Sequence, residues 1–215
     1  DRLSVRVAGS GDVTATGSAR ALDVDLQGSG DVRLGGLSTK SARVEIDGSG
    51  NVEIAPKEAS RIDVANAGSG DFEAAGSTDN LNISVEGSGD MKLGDLAANV
   101  VHVEIRGSGN AEIAPRDALK VKIAGSGDVT LRNEPKAIET TIAGSGDVIH
   151  ADGTRQSRHS LERHARADDD LGAVIDRAVA SGTSPDPDEL ERAKAKLKAR
   201  IRHQVAEALA GEDEP

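Results

Sequence analysis

Along most of this chain the apolar residues fall on every second position, on both sides of a recurring glycine corner. Leu22, Val24 and Leu26 lead into one corner and Val32 and Leu34 lead out of it. The pattern returns with Leu81, Ile83 and Val85 before Met91 and Leu93, and with Leu119, Val121 and Ile123 before Val129 and Leu131. Val101, Val103 and Ile105 lead into a further corner. A period of two with one apolar face predicts strand, tight corner, strand, each strand burying one side. Parity survives the corner: Val44, Ile46, Gly48, Gly50, Val52 and Ile54 share even numbers, so both glycines take inward slots while Ser49 and Asn51 point out. Glycine suits such slots where the chain needs positive φ or where another backbone comes too close for a Cβ.

The corner itself is a repeat. Gly-Ser-Gly begins at Gly9, Gly28, Gly48, Gly68, Gly87, Gly107, Gly125 and Gly144, at spacings of 18 to 20 residues. Asp follows it at 12, 31, 71, 90, 128 and 147, and Asn at 51 and 110. So constant a period predicts a coil rather than a row of hairpins. Eight turns stacked at a strand spacing of ~4.8 Å would make a rod of roughly 35–40 Å. A longer repeat overlies the short one: the segment from Gly28 matches the segment from Gly87, 59 residues later, so three turns were duplicated as a block. The second corner of each turn is variable and carries Pro56, Pro115 and Pro135. The expected fold is all-β, a right-handed parallel β-solenoid of about eight turns, with a short α-helical segment at its C-terminal end.

After Gly153 the periodicity changes. Leu171, Val174, Ile175, Ala178 and Val179 share one helical face, and Gly182 ends that segment. Asp186-Pro187-Asp188-Glu189 reads as an N-cap with Pro at the first helical position and Glu at the third. It opens a helix to about Ala210 with a stripe of Leu190, Ala193, Leu197, Ile201, Val205 and Leu209. The chain therefore divides into a solenoid, 1–153, and a helical tail, 154–215. The tail is expected to fold back over the last turn as a cap, with oligomerisation or partner binding as the second use. Arg155, Arg158, Arg163 and Arg166 form a basic stretch between the two, read as a solvated helix face or linker.

Composition narrows the function. The chain has 215 residues with no Cys, Trp or Tyr, one Phe (Phe72) and one Met (Met91). Without cysteine there is neither a disulfide framework nor a thiolate zinc site. Without aromatics there is no stacking platform for bases or sugars. A net charge of −11 argues against nucleic acid as a partner, and no apolar run approaches the ~18 residues of a membrane-spanning helix. Leu, Ile, Val and Phe make up only about a fifth of the chain, near the level where composition suggests disorder; their periodicity is what makes a fold possible. The sequence starts at Asp1, inside what reads as a strand, so an upstream signal peptide is expected to have been removed or left out.

The serial GSGD-Val units, flanked by alternating strands from Leu3 to about Asp152, resemble the head GIN domain of auto-transporter adhesins. That resemblance implies a β-helix related in shape to pectin lyases, an exported bacterial protein, homotrimerisation and a role in adhesion. It implies no catalytic residues. The expected location is the periplasm, outer membrane or cell surface, and the expected partners are copies of the chain itself and a ligand on a host-cell or envelope surface.

Candidate chemistry is sparse. The outward Asp/Asn row is similar to the calcium-binding glycine-aspartate repeats of nonapeptide solenoids. Its period is twice theirs, however, and Asn at 51 and 110 removes ligand charge. The favoured role is therefore an Asx-turn, each side chain accepting N–H groups of its own corner. His102 lies between inward Val101 and Val103 and is expected to face solvent. His159 and His164 are five apart, a poor fit to one helix face, and His150 and His203 have no obvious partner. The serine column from Ser10 to Ser145 has no base fixed beside it. No catalytic, cofactor-binding or metal residue is assigned. The expected function is a non-enzymatic, exported surface domain. A self-assembling solenoid scaffold of the envelope or cytoplasm is the alternative, and a carbohydrate-active β-helix enzyme a weaker one.

Overall fold

The structure, a computed structural model, describes residues 1–157 and 169–196. Thirteen strands form one continuous ladder: β1 (Arg2–Val7), β2 (Val13–Leu26), β3 (Val32–Ile46), β4 (Val52–Ile54), β5 (Ala59–Asn66), β6 (Phe72–Ala74), β7 (Gly76–Val85), β8 (Met91–Ile105), β9 (Ala111–Ile123), β10 (Val129–Leu131), β11 (Ala137–Ile142), β12 (Val148–Ile149) and β13 (Arg155–Gln156). Every pairing but the last is parallel, and each joins a strand to its counterpart one turn later. This is a β-solenoid of about eight turns, as the periodicity predicts. Helix α1 (Asp169–Ser181) and a second helical stretch, α2 (187–196), follow it.

Alternation becomes stacking because register is kept from turn to turn. Leu3, Leu22, Ala42, Ile62, Leu81, Val101, Leu119 and Ile138 lie above one another on the strand before the corner. On the strand after it, Val13, Val32, Val52, Phe72, Met91, Ala111, Val129 and Val148 do the same. The two bulky residues sit side by side in that column, and Ala74 and Ala111 beside them are small, which keeps the layer volume even. Phe72 and Met91 are 0% and 1% exposed. One inward slot is polar: Asn66, fully buried, donates to the Gly70 carbonyl and accepts from the Gly68 N–H, so it closes its own corner without an unpaired group.

The glycines owe their place to stacking, not to dihedral angle. None of the Gly-Ser-Gly glycines has positive φ. A Cβ added at any of them from Gly28 to Gly146 would sit 1.8–2.1 Å from the carbonyl oxygen of the glycine one turn earlier. The Ser N–H meanwhile bonds to that carbonyl, as in Ser49 to Gly28 and Ser108 to Gly87, both 3.0 Å. Of the two uses that the sequence leaves open for a corner glycine, close backbone approach is the operative one.

The helices correct one expectation. Rather than folding over the last turn, they lie along the flank. Asn80, Val100, Ala118 and Ala137 are in register on four successive turns. The Asn80 amide donates to the Gly182 carbonyl at 2.8 Å, Ala178 packs on Val100 and Ala118, and Val174 and Ile175 pack on Ala137 together with Leu190 and Ala193. Helix α1 thus runs along the rod axis, back from the eighth turn to the fifth. Eight residues of helix cover about 12 Å, close to three rung spacings. Gly182, at φ +65°, ends α1, and the Asp186 carboxylate accepts the N–H groups of Asp188 and Glu189, both as predicted. The end of the rod is closed instead by β13, antiparallel on β12. The side chain of Leu171, and residues Arg158, His159, Arg163, His164, Arg166, Leu197, Ile201, His203, Val205, Leu209 and Ala210, lie outside the described residues.

A methyl group at Gly70 has no route but into the Gly50 carbonyl, 1.9 Å away. Gly70→Ala is therefore expected to cost roughly 3 kcal/mol or more, read as a lower urea midpoint. A loss below ~1 kcal/mol would show that the rungs can part to admit it.

Candidate functional site: the Asp/Asn ladder and the helix-covered flank

The chain bends immediately after each Gly-Ser-Gly, and the bend would leave a backbone donor of the next turn without an acceptor. The Asp or Asn side chain supplies one. Its Oδ1 accepts the N–H of the Asp or Asn one turn later, at 2.8–2.9 Å, in seven successive links from Asp12–Asp31 to Asp128–Asp147. The carbonyl of each later residue accepts from the residue that follows its predecessor, as in Val13 N–H to Asp31 and Val52 N–H to Asp71. The bond therefore runs between turns and not within one corner, which corrects the Asx-turn expectation. What an isolated corner shows is a turn residue; what the stack uses is a side-chain oxygen standing in for a peptide carbonyl.

The order of the row is Asp, Asp, Asn, Asp, Asp, Asn, Asp, Asp. Carboxylates come in pairs, and each pair has a cation: Arg33 lies 2.6 Å from Asp31 and 3.9 Å from Asp12, Lys92 2.7 Å from Asp71, and Arg155 3.5 Å from Asp147. Arg155 is thus a residue of β13 and not of a helix face. Between pairs the amides of Asn51 and Asn110 donate back to Asp31 and Asp90 at 3.2 and 3.1 Å, so no run of like charge exceeds two. The Asn51 N–H and the Arg33 guanidinium hold Asp31 below the usual carboxylate value. Burial pushes Asp71 up, but Lys92 and the Asp90 N–H outweigh it and the net direction is also down. With Oδ1 committed to the backbone, a carboxylate keeps only Oδ2 for anything else. No group of three or more His, Asp or Glu is placed to hold a metal ion among the described residues.

The other candidate residues are not brought together. Serines 10 to 145 hold corner positions, and His102 makes no hydrogen bond to any of them; its Nδ1 is buried without a partner. His102 is half-buried rather than free in solvent, since the flank it stands on continues under α1. Burial, then the nearby Lys122, push its pKa down. His150 does have a partner, the Glu134 carboxylate at 3.1 Å. Lys120, in an outward slot, is 8% exposed and pairs with Glu139 and with Asp176 of α1. Burial pulls its pKa down, but those two carboxylates outweigh it and leave the lysine more firmly charged. A shallow concavity of about 260 Å³ lies over Ala65 and Ser84, rimmed by Arg43, Glu45, His102 and Glu104. Small side chains on its floor make the dip, and no nucleophile and base are paired across it.

A parallel coil whose polar columns are spent on joining its own turns belongs to the class of β-solenoid repeat domains. The family model described as "Putative auto-transporter adhesin, head GIN domain" matches residues 1–68 and again 58–135. These matches cover more than half of the chain, and the chain belongs to that family. The second match begins about one 59-residue block after the first, so the duplication seen in the sequence is also the period of the family unit. No curated protein and no solved structure matches the chain. No helix among the described residues is long and apolar enough to cross a membrane. Family and fold together define a structural domain of adhesin-like type, related to proteins of the surface or envelope.

Replacing an amide of the row by a carboxylate should expose its purpose. Asn51→Asp places three carboxylates beside Asp31 and Asp71 in succession and is expected to cost about 1 kcal/mol at pH 7. Because Asp31 and Asp71 sit below the ordinary value of 3.8, their contribution is full above it and is lost as pH falls through the lower folded values. The Asn51→Asp deficit should therefore vanish near pH 2–3 in thermal melts. A deficit that persists there would mean that lost amide donation, not charge, carries the effect.

Proposed function

We propose that this chain is a non-enzymatic head domain, exported to the cell envelope or surface, that holds a polar β-solenoid flank out for adhesion or protein contact. The observation that supports it most is the ladder itself. The Asp, Asn and Ser columns, the side chains in which a reactive or metal centre would be sought, are corner parts, and repetition eight times over suits a scaffold better than a catalyst. Family membership adds the adhesin-like context. A flank of small and charged side chains with no deep pocket favours many weak contacts, so useful affinity would come from several copies acting together. Homotrimerisation would supply that. The scaffold alternative, with rods joined head to tail, is disfavoured because β13 occupies the edge of β12 at one end.

Two measurements test this. Light scattering at micromolar concentration should give three times the chain mass; a strict monomer removes the trimer from the reading. Beads carrying many copies should hold to cell-surface or envelope preparations at least ~10²-fold better than a single labelled copy, while acidic polysaccharides incubated with the chain stay uncut. Equal retention of single and multiple copies, or cleavage, counts against it.

A further inference from the structure

The two ends of the rod differ chemically. In the second to eighth turns the Ser N–H bonds to a glycine carbonyl of the turn before, and the Asp or Asn N–H to a side-chain oxygen of the turn before. In the first turn the N–H groups of Ser10, Gly11 and Asp12 have no partner among the described residues, and the Asp12 carbonyl lacks the donor that every later member of the row has. Three successive donors thus point out of the N-terminal end. The apolar layer is open there too: Leu3, Val13 and Ala15 are only partly buried, whereas Leu22 and Val32, their partners one turn on, are 2% and 0% exposed. A Cβ at Gly9 or Gly11 would meet nothing within 4 Å among the described residues, against 1.8–2.1 Å at every later corner.

We propose that this end is a docking edge for one further Gly-Ser-Gly-Asn turn carried by a partner polypeptide. The surface offered is continuous with the seven turn-to-turn interfaces inside the chain and repeats their chemistry. A glycine carbonyl of the incoming turn accepts the Ser10 and Gly11 N–H groups, its Asn Oδ1 accepts the Asp12 N–H, and alternating apolar residues on either side cover Leu3, Val13 and Ala15. Asn is preferred to Asp because the row runs in the order Asn, Asp, Asp, which places an amide ahead of Asp12 and Asp31. Arg2 and Arg6, on the outer face of β1, are already paired with Asp23 and Asp25 and make no demand on the partner. This is strand addition to an open edge, with main-chain bonds giving affinity and the glycine corner giving selectivity. It stands independently of the adhesive reading.

The missing Cβ clash makes the test sharp. A labelled peptide with the sequence of residues 41–54, SARVEIDGSGNVEI, is titrated with the 215-residue chain and followed by fluorescence anisotropy. Saturable binding is expected below about 1 mM. The double variant Gly9→Ala/Gly11→Ala should keep its melting temperature, because both methyl groups enter open space. It should bind the peptide at least ~tenfold more weakly, because a docked turn would bring its glycine carbonyls onto them. The peptide with Asn51→Val should lose affinity as well. The proposal is overturned if the peptide does not bind, if a scrambled peptide binds equally, or if the folded double variant binds like the parent. A double variant that no longer folds overturns it too, since the end was then not open.

Discussion

The carbonyl oxygen of each corner glycine occupies the space that a methyl group on the next turn's glycine would need. That single approach of backbone to backbone, repeated at both glycines of seven interfaces, sets the rest of the molecule. It brings the turns to bonding distance at the place where the chain bends, so residues before and after the corner stay in register over all eight turns. It removes side chains where they would be most crowded and hands the polar work to the Asp or Asn that follows. It also explains how a chain with one Phe and no Trp or Tyr can fold: thin layers of Leu, Ile and Val, held at strand spacing on both sides, need no large ring to fill them.

Much of this was legible before the structure. Period two, constant Gly-Ser-Gly spacing and the preserved parity lead directly to a stacked coil, and Gly182 and Asp186 mark helix ends through local rules that need no tertiary context. What was not legible depends on what stacks next to what. The partner of each Asp or Asn is a backbone group about 19 residues away, and a single corner cannot distinguish that from a local turn. Asn66 breaks the apolar parity, yet nothing local says that it closes its own corner from inside. The placement of α1 left a readable trace: Val100-Val101 and Ala118-Leu119 put apolar residues on successive positions, where a solvated flank would alternate. Those pairs mark the strip on which Ala178 rests, and the same cover explains why His102 is half-buried and Lys120 nearly closed off.

Function follows from how the polar groups are spent. An oxygen that accepts a backbone N–H in every turn is poorly free to coordinate or attack, and serines held at corners without a base are inert. The chain therefore has an abundance of chemistry-bearing side chains and little chemistry, a combination that fits a family of adhesin-like heads. The same ladder has a direction, with donors facing one end and acceptors the other, so the ends of the rod are not equivalent even though its turns nearly are.

Helix α1 gives this direction a mechanical meaning. All of the bonds between turns lie roughly along the rod axis, so a pull from end to end loads them one rung at a time, the geometry in which a sheet unzips most easily. A helix clamped at Asn80, Val100, Ala118 and Ala137 lies parallel to that pull and spans three of the seams. It acts as a splint for the C-terminal half, and leaves the first four turns as the part of the rod that yields first under tension.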